Sequence, residues 1–301
     1  MSKKLLLGII VVLLVTNIAT LIFMDRGDKI VLNEDDEATT VSSKETVATI
    51  DGEEITYGDW VTALRETHGE KQLKTMIDRN IVKNLAEEKN IEVNEKVIDR
   101  ELAYLVSMQG VMSEEEYAAE EEKWREDILY RYQLEFLLTE DITVPEDEVK
   151  VYYDEYKNQY DFTPAMQLSH ILVQNMDTAE KVHSELEAGA SFDLLAQEYS
   201  TDEETKRDGG YLGFINTNSQ FFPNGYEEVA TGIEEHNFSE PFAADNGIAI
   251  IYLHQALPAI EFTYEEIQPY VKSELALHQE KITLNADPLW EDVEIEWVFD
   301  K

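Results

Sequence analysis

Four short blocks between residues 168 and 251 constrain the fold more than any other part of this chain. In order, they read LSHILV from residue 168, SFDLLAQEYSTD from residue 191, DGGYLGF from residue 208 and NGIAII from residue 246. The first and last blocks are apolar runs typical of buried strands, and the second has the spacing of a short helix. The blocks therefore predict a compact α/β module that starts and ends with a strand.

The module lies between two segments with helical patterns. Residues 46–163 carry apolar side chains mostly at helical spacing, and residues 258–301 return to that spacing after Pro258. We expect the last helix to pack back on the earlier helices, so that residues 258–301 complete the domain formed by residues 46–163. The sequence thus predicts an α+β protein in which residues 164–257 are inserted into a helical domain.

Individual elements can be located by their capping residues. The capping-box spacing predicts helix starts at three pairs, which are Ser113 with Glu116, Asp177 with Glu180, and Thr263 with Glu266. Residues 47–56 indicate a hairpin with a turn at Asp-Gly, and residues 293–298 alternate with period two, which predicts a strand at the end of the chain.

The N-terminus carries an apolar segment. Residues 5–24 contain no charged side chain, and as a helix they would span about 30 Å, the thickness of the hydrocarbon core. Lys3 and Lys4 precede this segment, which favours a cytoplasmic N-terminus. We expect residues 1–24 to be a single-pass membrane anchor with everything after it extracytoplasmic, and residues 25–45 to be an acidic spacer. A cleaved signal peptide is the alternative.

Composition excludes several classes of protein. The chain has no Cys, so disulfides, thiolate chemistry and a lipid-modified cysteine are excluded. The 64 Asp and Glu residues outnumber 24 Lys and Arg and give a formal net charge of −40, which disfavours binding to nucleic acid. This charge suits either the attraction of basic clients and cations or a general adaptation to salt or alkaline surroundings.

The four blocks, in this order and spacing, resemble the parvulin family of peptidyl-prolyl cis-trans isomerases. Residues 47–56 and 73–78 are in addition similar to the N-terminal domain of the SurA and PrsA-like foldases. This resemblance implies a helical SurA-N-like chaperone domain with an inserted parvulin domain of the FKBP-like α/β type. It further implies isomerisation of Xaa-Pro peptide bonds in unfolded or partly folded secreted polypeptides, with no cofactor and no metal.

The resemblance also implies the site residues. His170 and Asp202 match the positions of the catalytic polar residues of the family, and Leu212 matches the Leu of its Gly-Gly-x-Leu-Gly motif. The apolar cup for the proline ring would be completed by an aromatic residue at Tyr226 and by Phe221 or Phe222.

One position departs from the family pattern. Parvulins usually have a second His where this chain has Ala249, and in the family the two His form a hydrogen-bonded pair. His254 is five residues away on the same strand, so it should face the opposite side of the sheet. His170 would then have to be held by another group, for instance Asp202 or Ser169.

Three functions remain compatible with the sequence. The first is a membrane-anchored foldase that binds clients and isomerises Xaa-Pro bonds. The second is a holdase, in which the parvulin fold clamps peptides without turnover, as the loss of the second His suggests. The third is a cell-envelope adaptor that scaffolds a partner. An open apolar cup beside His170 favours the first two, and a filled one favours the third.

Overall fold

The computed structural model describes residues 29–34 and 37–299 of the chain. The chain divides into two compact units: residues up to Arg79 together with those from Ile295 onward, and Asn80–Glu294. The proposed anchor, residues 1–24, lies outside the described residues. Within the described ranges, none of the helices has the length and apolar character needed to cross a membrane.

The first unit contains two antiparallel hairpins and the start of a long helix. Strands β1 (Lys29–Glu34) and β2 (Glu37–Ser42) form one hairpin, and β3 (Thr46–Ile50) and β4 (Glu53–Thr56) form the other. The second hairpin confirms the prediction from the Asp-Gly turn. Strands β1 and β2 lie within residues 25–45, the predicted acidic spacer, and both segments contain a short run of β-branched and apolar residues that favours strand pairing. Helix α1 (Tyr57–Glu88) then begins in this unit.

The second unit combines helices with one antiparallel sheet. Its further helices are α2 (Glu95–Ser107), α3 (Glu114–Thr139), α4 (Glu146–Tyr156), α5 (Met176–Glu187), α6 (Phe192–Tyr199), α7 (Tyr226–Ala230) and α8 (Tyr264–Glu280). Its strands are β5 (Ala165–Val173), β6 (Tyr211–Asn216), β7 (Asn237–Phe238), β8 (Phe242–Ala244) and β9 (Gly247–Leu257). This mixture confirms the predicted α+β class.

Of the three helix starts predicted from capping patterns, two are confirmed and one differs. The capping boxes at Ser113 and at Thr263 are both formed, as predicted. Helix α5 begins earlier than its pattern indicated, because the side chain of Asn175 accepts a hydrogen bond from the backbone N–H of Thr178 and so serves as the N-cap in place of Asp177.

Helix α8 packs against the helices that precede the module. Its apolar face lies in one buried cluster with side chains of α2, α3 and α4. The cluster contains Val97, Ile98, Leu102, Ile128, Tyr132, Val149, Ile267, Tyr270, Val271 and Leu275. Two polar contacts make this packing specific: the backbone N–H of Asn94 donates to the Tyr270 hydroxyl at 2.7 Å, and the buried Thr139 and Ser273 hydroxyls lie 2.9 Å apart.

The inserted module enters and leaves this helical layer at one point. Phe162, before β5, and Ile260, after β9, form an isolated antiparallel bridge. The nitrogen of Phe162 lies 2.8 Å from the carbonyl oxygen of Ile260, and the nitrogen of Ile260 lies 3.1 Å from the carbonyl oxygen of Phe162. Between them, the sheet has the order β6-β5-β9-β7, and β8 also pairs with β9. The long strands β5 and β9 therefore lie at the centre, and their alternating side chains define the two faces of the sheet.

The end of the chain differs from its prediction. Residues 293–298 form no strand. They belong to an irregular segment that follows a short 3₁₀ helix, Asp287–Asp292. Alternating side chains fit a strand only where another strand offers its free backbone groups, and alternation by itself does not supply that partner.

Candidate active site

His170 lies in the middle of the central strand β5 and is only 7% exposed. Its Nε2 atom lies 2.8 Å from Oδ2 of Asp202, and its Nδ1 atom lies 2.9 Å from the hydroxyl of Tyr226. Both ring nitrogens are therefore engaged, and the imidazole is fixed in orientation by partners from two different segments.

The backbone around His170 depends on a glycine. The N–H of His170 donates to the carbonyl of Gly210 at 2.8 Å, just before β6. Gly210 has φ +76°, and a Cβ built there would lie 2.0 Å from the carbonyl oxygen of His170. Only glycine fits this approach, which explains the second Gly of the Asp-Gly-Gly block and ties that block to the site.

Asp202 is held as a carboxylate at the edge of the site. Burial acts to raise the pKa of Asp202, but the hydrogen bonds from Thr205 and His170 and the backbone N–H of Glu204 outweigh it, so that the pKa lies below its ordinary value. Thr205 donates to Oδ2 at 2.5 Å, and Glu204 donates to Oδ1 at 3.1 Å. The side chain of Asp202 is 22% exposed, so its negative charge can face a bound ligand.

These contacts place the proton between His170 and Asp202. An ionised carboxylate only accepts hydrogen bonds, so this proton lies on Nε2. When the imidazole carries no second proton, Nδ1 is an acceptor and the hydroxyl of Tyr226 donates to it. Burial, reinforced by the charge of Asp202, raises the pKa of Tyr226, which keeps this hydroxyl protonated.

The three predicted aromatic residues lie in different environments. Tyr226 is 2% exposed and sits in the buried cluster beneath His170, whereas Phe221 is 78% exposed. Phe222 and Leu212 are partly buried and pack against the same cluster as Tyr226. Leu212 and Phe222 therefore keep part of their apolar surface exposed at the edge of the cluster that buries Tyr226.

Ala249 lies on the His170 face of the sheet. It is fully buried and pairs with Leu172 on one side and with Phe242 on the other. The ring of Phe242 contacts the ring of Tyr226 edge-on, with 5.3 Å between the centroids. Both aromatic rings belong to the same packed cluster as Ala249.

His254 lies on the opposite face of the sheet. His254 accepts from or donates to Ser169, with Nε2 and Oγ 2.8 Å apart, and its ring contacts Tyr211 and Tyr252. This confirms that His254 faces away from the site, and it shows that Ser169 holds His254 and not His170. A cavity of about 550 Å³ adjoins this face and is lined by His254, Asp193, Phe192 and the loop from Gln109 to Glu114.

The sequence predicted His170, Asp202 and Leu212 as site residues, and the structure brings His170 and Asp202 into contact. Two further contacts of this cluster were not predicted. Thr205 was overlooked, although the spacing Asp-x-x-Thr from residue 202 allows its hydroxyl to reach the carboxylate. The bond between Tyr226 and His170 was also missed, because it joins residues 56 apart through an irregular loop whose path no local pattern fixes.

Comparison with known proteins identifies the family of this chain. Residues 172–255 match the family of PPIC-type PPIase, or rotamase, domains. The chain is 32% identical over 264 residues to YacD of Bacillus subtilis (strain 168), a provisionally named peptidyl-prolyl cis-trans isomerase; the match covers 87% of this chain and 89% of YacD. It is 31% identical over 262 residues to the foldase protein PrsA of Halalkalibacterium halodurans, covering 83% and 76% of the two chains.

A solved structure is also similar. PrsA from Bacillus cereus has 23% identity and a TM-score of 0.32, with 86% of this chain and 96% of that chain covered. The two sequence relatives, matched over most of their lengths, confirm the resemblance seen in the four blocks. The chain belongs to the family of parvulin-type peptidyl-prolyl cis-trans isomerases that includes YacD and the PrsA foldases.

Proposed function

We propose that this protein is a membrane-anchored extracytoplasmic foldase that binds unfolded secreted polypeptides and isomerises their Xaa-Pro bonds at the His170 site. The observation that carries this proposal is the fixed His170–Asp202 pair, 2.8 Å apart. Leu212 and Phe222, which pack against the cluster of Tyr226, would supply the apolar surface for the proline ring. Residues 46–163 and 258–301 would bind clients as one helical domain, and residues 164–257 would carry the catalysis.

The chemistry needs no covalent step. Amide resonance creates a barrier of about 18–20 kcal/mol, and it places negative charge on the carbonyl oxygen of the planar amide. Twisting removes part of that charge, so a fixed negative group beside the oxygen disfavours the planar form more than the twisted one. Asp202 supplies this charge, because its lowered pKa keeps it ionised. Leu212 and Phe222 would hold the proline ring while the carbonyl turns.

His170 would act on the same carboxylate. Its Nε2–H donates to Oδ2 of Asp202, which fixes the orientation of the carboxylate towards the substrate. Replacing His170 would leave Asp202 with Thr205 and Glu204 as partners, in a less defined position. A misplacement of about 1 Å in such a site can cost about 10²-fold in rate.

The holdase remains a second candidate, and a specific observation favours it. The second histidine of the family is absent, and Ala249 is fully buried among Phe242, Leu172 and Tyr226. A site with this altered support could bind Xaa-Pro segments without accelerating their isomerisation.

Two assays on the full chain in mild detergent separate the candidates. A protease-coupled assay with a Xaa-Pro peptide measures turnover, and light scattering of a denatured client measures the prevention of aggregation. We expect both activities. Protection against aggregation without any isomerase activity would reject the enzyme and leave the holdase.

The anchor is tested separately. The length of residues 5–24 supports retention of the segment in the mature protein, with the N-terminus in the cytoplasm. N-terminal sequencing of the protein recovered from the membrane fraction should find residues of this segment. A mature N-terminus beyond Met24 would show that the segment is a cleaved signal peptide.

A further inference from the structure

We propose that Tyr226 is a positioning residue that orients the His170 imidazole in place of the missing second histidine. The inference rests on the proposed isomerase function of the same site. It assigns Tyr226 a role different from that of an aromatic wall of the proline cup, which its position in the sequence suggested. In this role the hydroxyl group matters, and the ring serves to place it.

The contact between the two side chains is direct. The Tyr226 hydroxyl lies 2.9 Å from Nδ1 of His170, and the two rings meet edge-on with centroids 5.9 Å apart. Tyr226 is 2% exposed and His170 is 7% exposed, so water competes little for this hydrogen bond. Since Asp202 occupies Nε2, the tyrosine hydroxyl supplies the remaining partner that the imidazole needs.

The small side chain of Ala249 is part of the same arrangement. Ala249 and Phe242 are direct cross-strand neighbours on β9 and β8, and their side chains share the His170 face. The Phe242 ring packs on the Tyr226 ring at 5.3 Å. A methyl group at residue 249 leaves room for Phe242, and Phe242 supports the ring that carries the orienting hydroxyl.

The loop before Tyr226 explains how the hydroxyl reaches the imidazole. Gly225 has φ +83° and directly precedes helix α7, so the chain turns sharply and Tyr226 becomes the first residue of that helix. The cluster around Tyr226 includes Leu168 and Ile251 from the two central strands, which fixes the ring from the side of the sheet.

The test uses Tyr226→Phe, which removes the hydroxyl and keeps the ring. The matched control is Tyr270→Phe, because Tyr270 is 7% exposed and its hydroxyl also makes one hydrogen bond, which the backbone N–H of Asn94 donates to it. Each full-length variant is measured in the isomerase assay and by ¹⁵N NMR of histidine-labelled protein. The His170 signals are assigned by their loss in His170→Gln.

We expect Tyr226→Phe to lower kcat roughly tenfold to a hundredfold with little change in KM, because the proline surface of Leu212 and Phe222 is unchanged. The Nδ1 resonance of His170 should shift, since it loses its hydrogen-bond donor. Tyr270→Phe should leave both kcat and the His170 resonances as they are in the wild-type protein.

The outcomes separate this inference from the proposed function. An active wild type whose kcat and Nδ1 signal are unchanged by Tyr226→Phe would overturn the positioning role. A lower kcat without a change in the Nδ1 signal would also overturn it, since the loss would then be structural. If the wild type shows no turnover, the proposed function fails, and the Nδ1 shift alone decides whether Tyr226 orients the imidazole.

Discussion

The two faces of the central sheet each hold a histidine, and the surroundings of the two residues differ. His170 on β5 contacts a carboxylate and a tyrosine hydroxyl on a closely packed face. His254 on β9 contacts Ser169 on the face that adjoins a cavity of about 550 Å³. Ala249 lies on the His170 face, and His254 is five residues further along β9; an odd offset along a strand points a side chain to the other face. Proximity in sequence to a missing residue therefore does not allow His254 to replace it.

The largest expected effect on the His170 face comes from Gly210→Ala. The added Cβ would lie 2.0 Å from a backbone oxygen of His170, at a residue with φ +76°. We expect the free energy of unfolding to fall by about 3 kcal/mol or more, from positive-φ strain plus overpacking. Urea denaturation measures this loss.

Gly189→Ala is the control for that prediction. Gly189 also has a positive φ, +90°, but a Cβ there meets nothing within 4 Å. Its cost should be limited to the strain of about 1–2 kcal/mol. Equal losses in the two variants would mean that the approach of Gly210 to His170 does not constrain the site.

Ala249→His tests whether the His170 face has room for the family's second imidazole. Ala249 is fully buried beside Phe242, so we expect a loss of about 1–3 kcal/mol in unfolding free energy from overpacking. Ala243→His, at an exposed position of the adjacent strand, should change stability by no more than about 0.5 kcal/mol. A stable Ala249→His variant with faster turnover would show that the face still accommodates the histidine pair.

The exposed surface near His170 gives a smaller effect. Phe222→Ala removes part of the apolar surface proposed for the proline ring, and we expect kcat/KM to fall about tenfold. Phe221 is 78% exposed, and Phe221→Ala should have little effect on either kcat/KM or stability. If Phe221→Ala reduces kcat/KM more than Phe222→Ala does, the substrate lies on a different surface.

The smallest expected effects concern the pH dependence of folding stability, to which His254 and Asp202 contribute in different pH ranges. Burial lowers the pKa of His254, a trend that the nearby His236 reinforces and the charge of Asp193 opposes. The fold therefore favours neutral His254, and the associated stability is present above the ordinary His value of about 6.5 and is lost as pH falls through the folded-state pKa. Asp202 also has a lowered pKa, so its contribution is present above its ordinary value of 3.8 and is lost at more acidic pH.

Two conservative variants measure these dependences. The melting temperature should decrease as the pH is lowered. His254→Gln should make this decrease smaller just below pH 6.5, and Asp202→Asn should make it smaller only below about pH 4. If both variants alter the same pH range, the two faces do not titrate as independent sites.

Helices and strands could be predicted where a few neighbouring residues are enough to specify them. The capping boxes at Ser113 and Thr263 and the apolar runs of β5 and β9 each specify an element within a few residues. The predicted strand at residues 293–298 is wrong because pairing depends on a partner elsewhere in the chain. Asn175 displaced Asp177 as a helix cap, since several nearby side chains can accept the same backbone hydrogen bonds.

The contacts of the candidate site likewise include some that could be predicted from the sequence and some that could not. The position of Asp202 near His170 could be inferred from the family motif, and the structure places the two side chains in contact. The partner of Nδ1 could not be inferred, because residues 217–225, which lead to Tyr226, form turns without a helix or strand that a local pattern could specify. Ser169, one of the partners considered for His170, is committed to the other face by the strand period.

The most direct test of catalysis on the His170 face compares His170→Gln with His254→Gln in the protease-coupled isomerase assay on the full chain. We expect His170→Gln to lower kcat/KM about 10²-fold, through loss of the fixed His170–Asp202 pair. His254→Gln should stay within about twofold of the wild-type value, because it alters only the opposite face. Equal losses in both variants, or full activity of His170→Gln, would contradict the assignment of catalysis to the His170 face.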